Sequence, residues 1–91
     1  MEFQIETTSE DPWEFEVTLL EEDTVLGEYT VTMTAQEYDK YASDMEPEEI
    51  VKATLKFLLD REDPEMIMDR FRLKDVENYF PDYPRAVGDY F

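Results

Sequence analysis

From Phe3 onward, apolar and polar residues alternate with period two, through Phe3 and Ile5, then Trp13, Phe15, Val17 and Leu19, then Tyr29, Val31 and Met33. Such alternation buries one face of a strand and exposes the other, so the pattern predicts β-strands over about 2–8, 13–20 and 25–33. Ser9-Glu10-Asp11-Pro12 and Glu22-Asp23-Thr24 supply turn-forming residues between them, and short loops join successive strands antiparallel. A three-stranded antiparallel meander is expected. Keeping the apolar faces together pairs Trp13 with Met33, Phe15 with Val31 and Val17 with Tyr29, which asks for a second loop of odd length. An even loop would set Val17 opposite Glu28. In the first hairpin, Glu6 is expected opposite Glu14 and Gln4 opposite Glu16.

The period then changes. Thr34-Ala35-Gln36-Glu37 is a capping box, in which the Thr34 hydroxyl and the Glu37 carboxylate satisfy orphan backbone donors, so a helix over about 35–43 is predicted. Pro47 suits the first turn of a second helix, and Glu48 and Glu49 suit its positive end. This helix, about 47–61, carries Ile50, Val51, Thr54, Leu55, Phe57, Leu58 and Leu59 over an arc of about 200° at 100° per residue. An arc that wide predicts a buried central helix. Further helices are expected over about 64–71, with Met66, Ile67 and Phe71 inward, and over about 75–80, ended by Pro81. The expected fold class is α+β: the meander covered on one face by three or four helices. Residues 1–81 would form one domain and 82–91 an aromatic C-terminal tail.

Charge sharpens this picture. The chain has 91 residues, with 25 Asp and Glu against 8 Lys and Arg, a formal charge of −17. Twelve acids and no base precede Lys40, so residues 1–39 carry −12 and residues 40–91 only −5. The polar face of the predicted strands holds Glu2, Glu6, Glu14, Glu16 and Glu28 with no compensating base among them. So strong an acidic balance opposes direct contact with nucleic acid or anionic lipid, and favours a basic protein partner. No apolar run approaches the ~20 residues of a membrane span, and the start lacks the pattern of a leader, so a cytoplasmic location is expected.

Catalytic chemistry finds little purchase. With no Cys and no His, the chain has no thiolate nucleophile, no imidazole base and no zinc site of the Cys/His type. Ser9 and Ser43 have no visible base. Gly27 and Gly88 lie too far apart to make a phosphate loop, and among so many acids a pair at hydrolase spacing arises by chance. Asp60-Arg61-Glu62-Asp63 lacks the spacing and the Gly of a calcium loop. No catalytic residue, metal or cofactor is expected, and the chain reads as a protein that is not an enzyme.

A resemblance covers about residues 25–84. Pro47-Glu48-Glu49-Ile50-Val51, Phe57-Leu58-Leu59-Asp60-Arg61-Glu62, then Ile67, Phe71, Leu73, Val76 and Tyr79-Phe80-Pro81-Asp82-Tyr83 resemble a group of small bacterial proteins of unknown function. Their C-terminal half reads roughly PEELV…FLLEREP…IL..FDL..I..YFPEY, after a short strand-rich region. The resemblance implies a bacterial origin and a similar fold, and brings no activity, cofactor or site residue. Glu46 and Lys74 depart from it, standing where the group usually has a capping residue.

Three surfaces stand out as candidates for a partner. The first is the acidic strand face of Glu2, Glu6, Glu14, Glu16 and Glu28. The second is Arg61, which falls inside the apolar arc of its helix and needs a carboxylate there, either as a structural tie or as an anion reader at a partner surface. The third is the tail, where Tyr83, Tyr90 and Phe91 are candidate aromatic anchors between Pro81, Pro84 and the end of the chain. The expected function is a small non-catalytic interaction module docking a basic partner on its acidic face. Two alternatives fit the same charge: a salt-adapted globular protein whose acidic face binds nothing specific, and an inhibitor that mimics nucleic acid. Oligomeric state is not readable from the sequence.

Overall fold

The computed structural model describes residues 2–10, 12–42 and 45–90. The outer parts of three expectations, Asp11 in the first turn, Ser43 at the end of the first helix and the anchor Phe91, lie outside the described residues. Strands β1 (Glu2–Glu10), β2 (Trp13–Glu21) and β3 (Thr24–Met33) form the antiparallel meander, followed by helices α1 (Ala35–Ala42) and α2 (Pro47–Arg61). A 3-10 turn at Pro64–Met66 then leads to a short strand β4 (Arg70–Arg72), helix α3 (Leu73–Tyr79), helix α4 (Tyr83–Ala86) and a second 3-10 turn at Val87–Tyr90. The sheet is four-stranded and mixed, in the order β1-β2-β3-β4, because β4 joins β3 in parallel.

The period-two residues of β2 and β3 make the inner face. Trp13 pairs with Met33, Phe15 with Val31 and Val17 with Tyr29, as the alternation requires. The loop between them, however, is even. Glu21 pairs with Thr24 across a two-residue turn in which Glu22 and Asp23 both take positive φ, 50° and 66°. Primed turns of this kind match strand twist, and here two acids adopt the conformation that Asn and Gly usually supply. The odd residue sits instead in a bulge: the register shifts between Leu19 and Leu20, leaving Leu26 unpaired and returning Val17 to Tyr29. Gly27, beside that bulge, has Tyr29 folded over it so closely that a Cβ would collide with the tyrosine ring and hydroxyl. The Tyr29 hydroxyl passes across Gly27 to donate to the Pro64 carbonyl at 2.8 Å, fastening the sheet to the 3-10 turn.

Helices α1 to α4 cover the inner face. Ile50, Val51, Ala53, Thr54, Leu55, Phe57 and Leu58 of α2 are all buried, with only Lys52 and Lys56 exposed through the middle of the helix. Its wide apolar arc is filled on one side by the sheet and on the other by the chain after Pro81. Tyr83 is 0% exposed, its ring edge-on to Phe57 at 5.3 Å and 5.1 Å from Tyr41. Its hydroxyl meets Thr54 Oγ1 at 2.7 Å, while the Thr54 hydroxyl reaches the Ile50 carbonyl at 2.7 Å, so two buried polar groups satisfy each other inside the core. Val87 is buried beside it, and the segment after residue 81 is part of the core rather than a tail laid on it. An aromatic this large lost from the core would leave α2 half-covered, which is why the domain extends through these residues.

The expected helix over 64–71 is absent. Pro64 permits one 3-10 turn, after which the chain extends, with Phe71 buried beside Val31 between two exposed arginines. Met66, expected inward, is 71% exposed. The alternation Arg-Phe-Arg is a strand pattern, and parallel pairing with β3 wins over a helix that would have to bury Arg70 or Arg72.

Candidate functional site

The outer face of the sheet is built from the residues between the buried ones. β1 contributes Glu2, Gln4 and Glu6, β2 contributes Glu14, Glu16 and Thr18, and β3 contributes Glu28, Thr30 and Thr32. The first hairpin is registered two residues away from expectation. Glu10 pairs with Trp13, a bulge falls between Thr7 and Ser9, and Glu6 therefore faces Glu16 rather than Glu14, with Gln4 facing Thr18. The physical reason is a longer β1: Thr8 donates to the Glu14 carbonyl at 3.1 Å and Ser9 to the Pro12 carbonyl at 2.9 Å, holding both strands together up to the turn. Like charges directly opposite on neighbouring strands cost stability, and here the two carboxylates face each other with no base on any of the three strands. Glu28 lies diagonal to Glu16, and these two with Asp69 line a shallow hollow floored by Thr18 and Thr30.

The face does acquire positive charge, from β4. Parallel pairing sets Arg70 beside Thr30 and Arg72 beside Thr32, so both exposed residues belong to the outer face at its β4 edge. The face is therefore graded, acidic across β1 to β3 and basic along β4. Nothing in the sequence places Arg70 and Arg72 on this face except the three-residue alternation around Phe71.

Several carboxylates near the helices have partners. Glu37, buried at 9% exposure, accepts from its own capping-box backbone at Thr34 N, 2.9 Å, and from Lys74 N at 2.8 Å, while its backbone N–H reaches the Thr34 hydroxyl at 3.1 Å. One side chain thus caps α1 and α3 together, and the position where Lys74 offers no capping side chain is served from α1. Glu46, at the start of α2, makes no side-chain cap. Glu77 accepts from Lys40 at 2.9 Å and from the Tyr41 hydroxyl. Those bonds hold the Glu77 carboxyl below its usual range, and burial together with Glu77 raises the Tyr41 phenol. Burial raises the Tyr83 phenol as well.

The other candidate residues have structural roles. The Arg61 guanidinium pairs with Asp82 at 2.7 Å and lies over the Phe57 ring at 3.8 Å, so it ties the end of α2 to the turn before α4 instead of standing free for an anion. Tyr83 is inside the core and reaches no partner. Tyr90 is half-buried, edge-on to Phe57 at 5.9 Å, and donates to Asp60 at 2.5 Å, a bond that raises its phenol. Glu2, Glu6, Glu16 and Glu28 are exposed and Glu14 is half-buried.

Among the described residues, no group of three or more acidic side chains is placed to hold a metal ion, and no helix is long and apolar enough to cross a membrane. No protein-family model, no curated protein and no solved structure matches the chain.

Proposed function

We propose that the chain is a small non-catalytic interaction module whose outer sheet face docks a basic protein. The observation that carries this reading is the Glu6–Glu16 opposition: two carboxylates face each other across β1 and β2, with Glu2, Glu14 and Glu28 on the same face. One lysine at any of these positions would relieve the repulsion. A field of this sign steers a positively charged surface onto the sheet and is weakened by salt. The basic edge of Arg70 and Arg72 gives the docked partner a direction, since its positive surface must lie over β1 to β3 and away from β4.

The test is affinity capture from a nuclease-treated lysate of the source organism at low salt, with wild type and Glu6→Lys/Glu16→Lys side by side. Recovery of one basic protein by wild type, released at moderate salt and lost with the double variant, is the expected result. Equal recovery by both proteins overturns the docking face. If neither captures anything and wild type grows steadily more stable through molar salt, the acidity serves solvation alone.

A further inference from the structure

Among the described residues, three of the four exposed large apolar side chains line one groove. They are Met66 at 71%, Tyr79 at 67% and Met68 at 39% exposure. These side chains rim a groove between the 62–69 connection and α3, whose floor is the buried Leu58, Ile67, Phe71 and Val76. The volume is about 150 Å³. An apolar cavity of that size accepts a benzene-sized group. The groove thus has room for one bulky apolar side chain and no more.

We infer that this groove docks an amphipathic segment of a partner protein, a segment that inserts one bulky apolar side chain and carries lysine or arginine beside it. The occupant is chosen by charge. Among the described residues, Glu62 is the one charged residue lining the groove, and exposed Asp63 and Glu65 follow it in the connection at the rim. An acidic margin around an apolar slot complements a basic amphipathic segment and rejects an acidic one. The same charge argues against a second copy of this chain, since each copy brings −17 to the contact. Methionines at the rim suit the role, because an unbranched thioether side chain repacks around differently shaped anchors at small cost. The 3-10 turn Pro64–Met66 and the extended path after it leave Met66 and Met68 at the rim of the slot.

The groove is independent of the acidic sheet face, so its test leaves that face intact. The probe is a short helical peptide of leucine and lysine, titrated into the full chain carrying ¹³C-methyl methionine, beside two controls of equal length. One control replaces leucine by serine and keeps lysine; the other keeps leucine and replaces lysine by glutamate. The expected result is saturable movement of the Met66 and Met68 methyl signals with the leucine–lysine peptide, at least tenfold tighter than with either control. Met66→Gln/Met68→Gln should weaken that binding at least tenfold, and Tyr79→Gln alone by a smaller factor, with melting temperatures close to wild type because Met66 and Tyr79 are largely exposed and glutamine matches methionine in length at Met68. The Glu6→Lys/Glu16→Lys protein should still move the methyl signals. Equal binding of the serine–lysine control, or unchanged affinity in the double methionine variant, overturns the groove and assigns the interaction to general acidity. Methyl signals that shift when the chain alone is diluted assign the groove to a second copy and overturn the proposed occupant.

Discussion

The α1–α3 junction and the outer sheet face use the same residue type in opposite ways. At the junction, Glu37 satisfies backbone donors at the starts of two helices, and Glu77 takes a lysine and a tyrosine. On the sheet, Glu6 and Glu16 take each other. A carboxylate that caps a helix is a fold determinant; a carboxylate opposed to another carboxylate works against the fold. The difference separates carboxylates that build the fold from those, such as Glu6 and Glu16, that oppose it.

The largest effect is expected of Glu37→Ala. The substitution strands the Thr34 and Lys74 backbone donors, and losing two such bonds should cost about 2 to 4 kcal/mol in urea unfolding. A loss below about 0.5 kcal/mol would remove the distinction between the two regions. Glu37→Gln, which keeps the acceptor oxygen for one donor only, should fall between.

Tyr83 sharpens the same point from inside the core. Its pKa is raised above the ordinary 10.0 by burial, so the neutral phenol is the folded form. Its contribution is fully present below pH 10 and declines as pH rises, because the unfolded chain loses the proton first, with a slope of up to about 1.4 kcal/mol per pH unit. Tyr83→Phe should cost about 1 kcal/mol near neutral pH and flatten the alkaline limb of a stability profile. An unchanged alkaline limb would mean that Tyr83 does not titrate with unfolding. Glu77 gives the mirror image with a smaller effect. Its pKa is lowered by Tyr41 and Lys40, so its contribution holds above the ordinary carboxylate range and is lost as pH falls through the lowered value. Glu77→Gln should therefore lose stability near neutral pH and less in acid, measured by thermal melting across that range.

Much of the fold was legible because it rests on short-range patterns. The register of β2 on β3 follows from alternation alone, and the Thr34–Glu37 capping box and Pro47 mark two helix starts correctly. Features that depend on long-range pairing were not legible. β4 exists only because β3 offers an open edge, and three residues of alternation cannot outweigh a helical spacing that also accommodates Ile67 and Phe71. The bulge at Leu26 was hidden for a similar reason: the sum of a two-residue turn and one unpaired residue looks like a three-residue loop. For the candidate site, the acidic strand face was visible as a list of residues, whereas the Glu6–Glu16 opposition and the Arg70–Arg72 edge required the actual pairing. Tyr83 shows the limit in the other direction. Aromatic density near a chain end resembles an anchor, yet Thr54, a polar residue on the buried face of α2, is the partner its hydroxyl needed.

The proposed docking face keeps its carboxylates against the stability of the fold, a cost read in the melting temperature of Glu6→Lys at low salt, where a repelling pair becomes an attracting one. The cross-strand exchange should stabilise by about 0.5 to 1 kcal/mol, a rise of roughly 2 to 8 °C in a domain of this size, shrinking as salt is added. A melting temperature equal to or below that of wild type would show that Glu6 serves the fold, and would contradict the claim.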